Sequence, residues 1–265
     1  MSASASTPSI HDHWITHPQA RLFARNWTPA AASRAPIVLL HDSLGSVALW
    51  REFPAQLAEA TGRQVWAYDR WGYGQSDART TMPARNFVRD ESTDVFPIVL
   101  QQLGLAHHVL LGHSVGSGMG LEMAARNPDC LALITIAGQA FVEDRTLAGI
   151  REAQVLFQDA EQLARLARYH GDKARWVVDA WTDTWLSAPF ADWSVDDCLP
   201  HVRCPVLALH GEHDEYGSAA HPQRIAAGVS GPAQAVLLPG AHHMPHREMP
   251  AQVLAHITRF LQPVD

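Results

Sequence analysis

Gly112-His113-Ser114-Val115-Gly116 sets a serine between two glycines, directly after the apolar run His108-Val109-Leu110-Leu111. Small residues then lead into Leu121-Glu122-Met123-Ala124-Ala125, which reads as a helix. The stretch therefore predicts strand, very tight turn and helix, with a hydroxyl at the apex: a nucleophile elbow. Side chains two residues before and after the serine would collide with neighbouring backbone, so glycine is needed at both places. Five residues recur by chance, and the pattern gains weight only from what the rest of the chain supplies.

An activated serine needs a base and an acid, and behind such an elbow the chain order is serine, acid, histidine. Cys204-Pro205-Val206-Leu207-Ala208-Leu209-His210-Gly211 reads as a buried strand, and Asp214 sits in the loop after it. Ala235-Val236-Leu237-Leu238-Pro239-Gly240 reads as a second such strand, feeding His242 and His243. Serine, acid and base candidates thus all fall at carboxyl ends of predicted strands, where an open parallel sheet keeps its functional groups.

With these three segments in place the chain resembles the α/β-hydrolase superfamily, from about Pro36 to about Leu261. The family's proline, glycine, small residue, glycine, histidine stretch corresponds to Pro239-Gly240-Ala241-His242-His243. That alignment implies His243 as the catalytic histidine, with the adjacent His242 as the alternative. A Gly-x-x-Asp pattern after the penultimate strand selects Asp214 over Glu212 and Glu215. The resemblance also implies an oxyanion hole made by the backbone amides of Ser43 and Val115. Many members carry histidine-glycine after the strand that here reads Ile37-Val38-Leu39-Leu40, whereas this chain has His41-Asp42. An inward carboxylate would oppose a developing oxyanion, so Asp42 is expected to point away or to be paired.

The fold implied is a mostly parallel central sheet with helices on both faces and an inserted helical cap. Strand and helix signals alternate from Arg21-Leu22-Phe23 to Leu131-Ala132-Leu133, then the rhythm breaks. Residues 1–138 and 198–265 read as the core and 139–197 as the cap, with helical periodicity over Glu161 to Arg168. The cap is dense in aromatics, and Trp181, Trp185 and Phe141 are candidates to line a substrate pocket above Ser114. Packing of the cap onto the sheet is the competing role for each of them.

The implied activity is hydrolysis of a small or medium carboxylic ester or lactone through an acyl-enzyme on Ser114. The alternative is a carbon–carbon bond hydrolase of ring-cleavage diketone products that uses the same triad, with Arg151, Arg175 or Arg247 holding a substrate carboxylate. A catalytically silent receptor on the same scaffold is a third reading, disfavoured because all three triad residues are present. Serine as nucleophile counts against the superfamily's haloalkane dehalogenases and epoxide hydrolases, which use aspartate at that position.

No cofactor is expected. Gly116-Ser117-Gly118-Met119-Gly120 is one residue short of a dinucleotide loop. His11-Asp12-His13 and His243-Met244-Pro245-His246 lack the helical spacing and partner carboxylate of a metal site, and close pairs are expected among sixteen histidines, so no metal is expected either. Nearly half the residues are hydrophobic, enough for a large core, yet no apolar run approaches the roughly 18 residues that span a membrane. A formal charge of −7 gives no sign of nucleic-acid binding. The start, Met1 to Pro8, lacks the basic and apolar segments of a signal peptide and reads as a short disordered tail. Three scattered cysteines, Cys130, Cys198 and Cys204, read as reduced, buried thiols of a cytoplasmic protein. The expected partner is a small-molecule carbonyl substrate, and a homodimer is compatible with a chain of this size.

Overall fold

Period-two alternation along the apolar strands sends successive side chains to opposite faces of one sheet, and two cores result. Val38, Leu40, Leu110, Leu133, Val206 and Ala208 enter the core on one face. Their immediate neighbours Ile37, Leu39, Leu111, Ile134, Leu207 and Leu209 enter the core on the other. A sheet buried on both faces explains why these strands read as continuous apolar runs.

The computed structural model describes residues 7–264. Most of the tail assigned to residues 1–8 lies outside the described residues. The strands are β1 (Ser9–His17), β2 (Ala20–Thr28), β3 (Arg34–Leu40), β4 (Arg63–Tyr68), β5 (His108–His113), β6 (Cys130–Ile136), β7 (Val206–Gly211) and β8 (Ala233–Leu238). They form one sheet in the order β1-β2-β4-β3-β5-β6-β7-β8. The β1–β2 and β2–β4 pairs are antiparallel, and from β4 through β8 all pairs are parallel. The chain leaves β4 on one side of β3 and re-enters as β5 on the other. The carboxyl ends of β3 and β5 therefore flank the crevice where strand order reverses, the usual place for a ligand in an open α/β sheet.

The helices are α1 (Phe53–Thr61), α2 (Phe87–Asp90), α3 (Phe96–Leu103), α4 (Val115–Arg126), α5 (Asp144–Leu156), α6 (Ala160–His170), α7 (Ala174–Trp185), α8 (Ala220–Gly228), α9 (Pro245–Glu248) and α10 (Pro250–Leu261). α5, α6 and α7 form the helical cap, inserted between β6 and β7. Asp159 caps α6 by accepting the Glu161 amide at 2.7 Å, and Gly171 (φ 59°) ends it. His170 at the end of α6 ties cap to core. Its Nδ1 accepts the Gly74 amide at 2.9 Å and its Nε2 donates to the Leu44 carbonyl at 3.0 Å. Burial pushes this ring's pKa down to about 4, so it is neutral near pH 7.

Two local expectations need correction. β8 is not a buried strand: it has β7 as its one neighbour, and only Leu238 of its six residues is buried. An edge strand keeps apolar letters while one flank faces water. β1 carries no long apolar run and lies at the opposite edge, where Asp12 pairs with Arg25 of β2 at 2.5 Å. The cysteines are free thiols, but Cys204 is only half-buried, with its Sγ 3.9 Å from that of Cys130.

Candidate active site

The turn between β5 and α4 holds Ser114 at φ 54° and ψ −123°, a conformation that a non-glycine residue adopts only under constraint. Such a geometry costs about 1–3 kcal/mol and persists because its surroundings over-determine it. The Ser114 amide donates to the Ile136 carbonyl at 2.9 Å, and the Ser114 carbonyl accepts the Ser117 amide at 2.9 Å. The flanking glycines permit close backbone approach. A Cβ on Gly112 would lie 2.3 Å from the Gly116 carbonyl oxygen, and one on Gly116 would lie 2.1 Å from that of Leu40. Backbone cannot yield as a flexible side chain can. Gly116→Ala is therefore expected to destabilise the chain by about 3 kcal/mol, lowering Tm by roughly 6–12 °C. Thermal unfolding checks this, and an unchanged Tm would mean that the turn tolerates the methyl group.

Asp214 follows β7, and its carboxylate is almost fully enclosed. Oδ1 accepts the amides of Tyr216 (2.8 Å) and Gly217 (3.1 Å). Both carboxylate oxygens lie 2.9 Å from Nδ1 of His243, which follows β8. Burial alone would raise the Asp214 pKa, but the hydrogen bond and charge of His243, then His210 and the Tyr216 amide, bring it below the ordinary value. For His243 burial works downward and is outweighed by the hydrogen bond and charge of Asp214, with Asp42 and Glu215 adding, so its pKa is raised. The neighbouring carboxylates face other groups: Glu212 accepts the Gly240 amide at 3.1 Å and Glu215 the His243 amide at 3.3 Å. His242 is exposed, and its ring nitrogen lies 3.8 Å from Glu215.

Ser114 and His243 open onto one cavity of about 300 Å³, which Ser43, Trp181, Tyr216 and Arg247 also line. Val115 is the first residue of α4, so its amide has no intrahelical acceptor and faces the positive end of the helix dipole. The loop after β3 is pinned from behind. His41 Nε2 accepts the Arg70 amide at 3.2 Å, and Arg70 donates to the Asp42 carbonyl at 2.8 Å. Asp42 also lines the cavity, with Oδ2 3.5 Å from Nδ1 of His113. Its Oδ1 is folded over Gly45, where a Cβ would lie 2.1 Å from it, and burial drives the His113 pKa down to about 4, so that neighbouring ring is neutral near pH 7.

Of the aromatic candidates, the structure brings Trp181 alone to this cavity. Trp185 is buried edge-on against Phe190 (4.9 Å) and Trp193 (5.4 Å). Phe141 stacks on His221 at 4.4 Å, with the Arg224 guanidinium 4.8 Å from its ring centre. Sequence spacing gives the density of aromatics in a cap but not the direction each one faces. Tyr216, two residues beyond Asp214, also enters the site. Its ring lies 4.7 Å from that of His243, and burial pushes its pKa up to about 12. Of the three arginines, Arg247 lines the cavity, where it donates to the Leu49 carbonyl, whereas Arg175 pairs with Asp179 at 2.7 Å. Among the described residues, no group of three or more His, Cys, Asp or Glu side chains is placed to hold a metal ion. No helix among them is long and apolar enough to cross a membrane.

Residues 35–250 match the family described as alpha/beta hydrolase fold. The chain belongs to that family. Among curated relatives, it is 38% identical over 96 residues to a proline iminopeptidase of Lactobacillus delbrueckii subsp. lactis, a match covering 34% of this chain and 31% of the relative. The chain thus spans about a third of the length of the iminopeptidase it matches. It is 27% identical over 235 residues to serine hydrolase BPHL of Mus musculus, covering 85% of this chain and 79% of that one. Among solved structures, the enol-lactonase from Burkholderia xenovorans LB400 superposes with a TM-score of 0.72 at 20% identity, covering 94% of this chain and 99% of that one. That likeness shows the shared alpha/beta hydrolase fold.

Proposed function

We propose that this alpha/beta hydrolase is a serine hydrolase that cleaves a small or medium carboxylic ester or lactone. The observation that carries the reading is the strained Ser114 turn opening on the same cavity as His243, whose Nδ1 is 2.9 Å from both Asp214 oxygens. With Nδ1–H donating to Asp214, the lone pair of Nε2 is left to take the Ser114 proton as Oγ attacks the substrate carbonyl. Asp214 holds the tautomer and stabilises the imidazolium. The amides of Ser43 and Val115 receive the oxyanion, where losing one donor typically costs about 3 kcal/mol of barrier. His243 then protonates the leaving alkoxide, and water cleaves the acyl-enzyme by the same route. The cavity volume is at the small end for ligand pockets, and Leu44, Leu49, Leu166 and Trp181 give it an apolar wall suited to a short acyl group. Similarity to serine hydrolase BPHL supports a serine nucleophile, while similarity to a proline iminopeptidase keeps amides on the test panel.

The test is turnover of a chain-length series of p-nitrophenyl esters and simple lactones, beside proline p-nitroanilide and an absorbing dienoate diketone, with fluorophosphonate labelling of Ser114 in parallel. Labelling with preferential cleavage of short esters or lactones is expected. Labelling with turnover of the anilide alone overturns the ester reading. The second reading, carbon–carbon cleavage of a carboxylated diketone, is favoured by the cation of Arg247 at the cavity wall. Turnover of the dienoate alone would establish it instead.

A further inference from the structure

His210 is the penultimate residue of β7, wholly buried and absent from the steps above. Its Nε2 lies 3.2 Å from Asp214 Oδ2 and 3.1 Å from the Gly217 carbonyl oxygen. Both neighbours are acceptors when Asp214 is ionised, so the proton of the neutral ring must sit on Nε2. Burial lowers the pKa of this ring despite the nearby carboxylate, which keeps it neutral. Asp214 Oδ1 accepts two backbone amides and both oxygens face His243 Nδ1, while the His210 ring lies 3.2 Å from Oδ2 with its Nε2–H donating to the carbonyl of Gly217, whose own amide is one of the two on Oδ1.

The ring is itself fixed. A Cβ on Gly217 would lie 3.1 Å from His210 Cε1 and 2.9 Å from His221 Cδ2, so only glycine lets this backbone close over both rings. His221 of α8 stacks behind His210 with centroids 6.0 Å apart and planes 13° from parallel. His221 Nδ1 accepts the Ala140 amide at 3.0 Å, and its Nε2 donates to Glu143 Oε1 at 3.2 Å. Glu143 immediately precedes cap helix α5 and also accepts from the Ser218 amide (2.6 Å) and hydroxyl (3.0 Å). A connected stack therefore runs from the root of the cap to the back of the acid.

We propose that His210 is a positioning residue of the triad: its Nε2–H fixes the Gly217 peptide that donates to Asp214 Oδ1, lies 3.2 Å from Oδ2, and so moderates the pull of that carboxylate on His243. The proposal rests on the reading of Ser114, Asp214 and His243 as a triad. A neutral donor spreads the carboxylate's charge, and without it the charge falls more fully on His243 and makes that imidazole more basic. The charged and titratable groups around the two histidines are Asp214, Glu143, His221 and His243 for His210, and Asp214, Asp42, Glu215, His113, Tyr216, His210 and His246 for His243.

The experiment is the pH profile of kcat/KM for the best ester in the wild type, His210→Phe and His210→Gln, with fluorophosphonate labelling of each. His210→Phe, which removes the donor, is expected to move the acid limb up by about half a pH unit. His210→Gln, which restores an N–H near the same place, is expected to return the limb to its wild-type position. Variants that lose turnover at every pH with the limb unmoved would make His210 a packing residue and overturn the proposal. A wild type that neither labels nor turns over would instead sink the triad reading beneath it. Should the phenylalanine variant not fold, ¹⁵N spectra of the wild-type histidines decide independently. They should show a protonated Nε2 and bare Nδ1 on His210 near neutral pH, and the opposite tautomer overturns the proposal.

Discussion

Ser114→Ala is expected to lower ester turnover by about 10⁵- to 10⁶-fold, His243→Ala by a similar factor, and the double variant by no more than either alone. The non-additivity follows from the proposed mechanism. Without Oγ there is no proton for His243 to take, and without the imidazole the Ser114 hydroxyl is an ordinary alcohol, so each change removes the same transition state. The residual rate comes from substrate binding and the oxyanion amides, which neither change touches. His242→Ala serves as the control. Its ring is exposed and faces Glu215 rather than Asp214, so turnover is expected to stay within about threefold. Single-turnover kinetics on the four proteins checks the set. A double variant much slower than both singles would show that the two side chains act independently, and a large loss in His242→Ala would mean that the base is the neighbour.

Stability is expected to fall steeply as pH drops from 6.5 towards 4. His113, His170 and His221 are buried and neutral, their pKa values pushed down to about 4 by burial. Burial outweighs Asp42 at His113 and Glu143 at His221, and at His170 it outweighs the Leu44 hydrogen bond. In the unfolded chain the same rings protonate near 6.5. Between these values the unfolded state binds more protons, so each histidine takes stability away as pH falls through the window, about 3 kcal/mol at most by its lower end. Three such groups are comparable with the whole stability of a typical domain, about 5–15 kcal/mol. The raised pKa of His243 acts in the opposite sense, since its contribution is full below 6.5 and lost as pH rises through the folded value. One group does not offset three. Urea titrations at pH 7, 6, 5 and 4.5 measure the slope. His170→Gln can still accept from Gly74 and donate to Leu44, so it should reduce the slope by about one proton. A urea midpoint constant down to pH 4.5 would show that these rings are not held neutral.

The central parallel strands were legible because a strand buried on both faces needs an unbroken apolar run. The loops that follow these strands carry Ser114, Asp214 and His243, so strand order in the sequence points to all three. β1 was missed for the converse reason. As a two-stranded antiparallel edge it is paid for by the ladder to β2 and the Asp12–Arg25 pair, and its letters look like a polar loop. The cavity wall was legible in part. Trp181 and Trp185 lie four apart on α7, yet the first faces the cavity and the second packs against Phe190 and Trp193. Residues four apart on a helix share a broad face, and the divide between lining and core runs within it. His210 was hidden among sixteen histidines. What distinguishes it is a donor–acceptor distance, a quantity that no local pattern of letters encodes.

The cap leaves from β6 and returns at β7, and these strands are direct neighbours in register, Ile136 beside Leu209. Between these strands, Phe141 and Ser194 meet in an isolated antiparallel bridge, so both ends of the cap are anchored side by side whatever lies between them. For such a closed excursion the entropic cost of extra length grows only with its logarithm, about 0.6 kcal/mol for each doubling. The scaffold can thus exchange one roof for another of different length at small thermodynamic cost, while the sheet beneath keeps Ser114, Asp214 and His243 at unchanged separations. In this molecule, the roof and the triad proposed beneath it are separately replaceable parts.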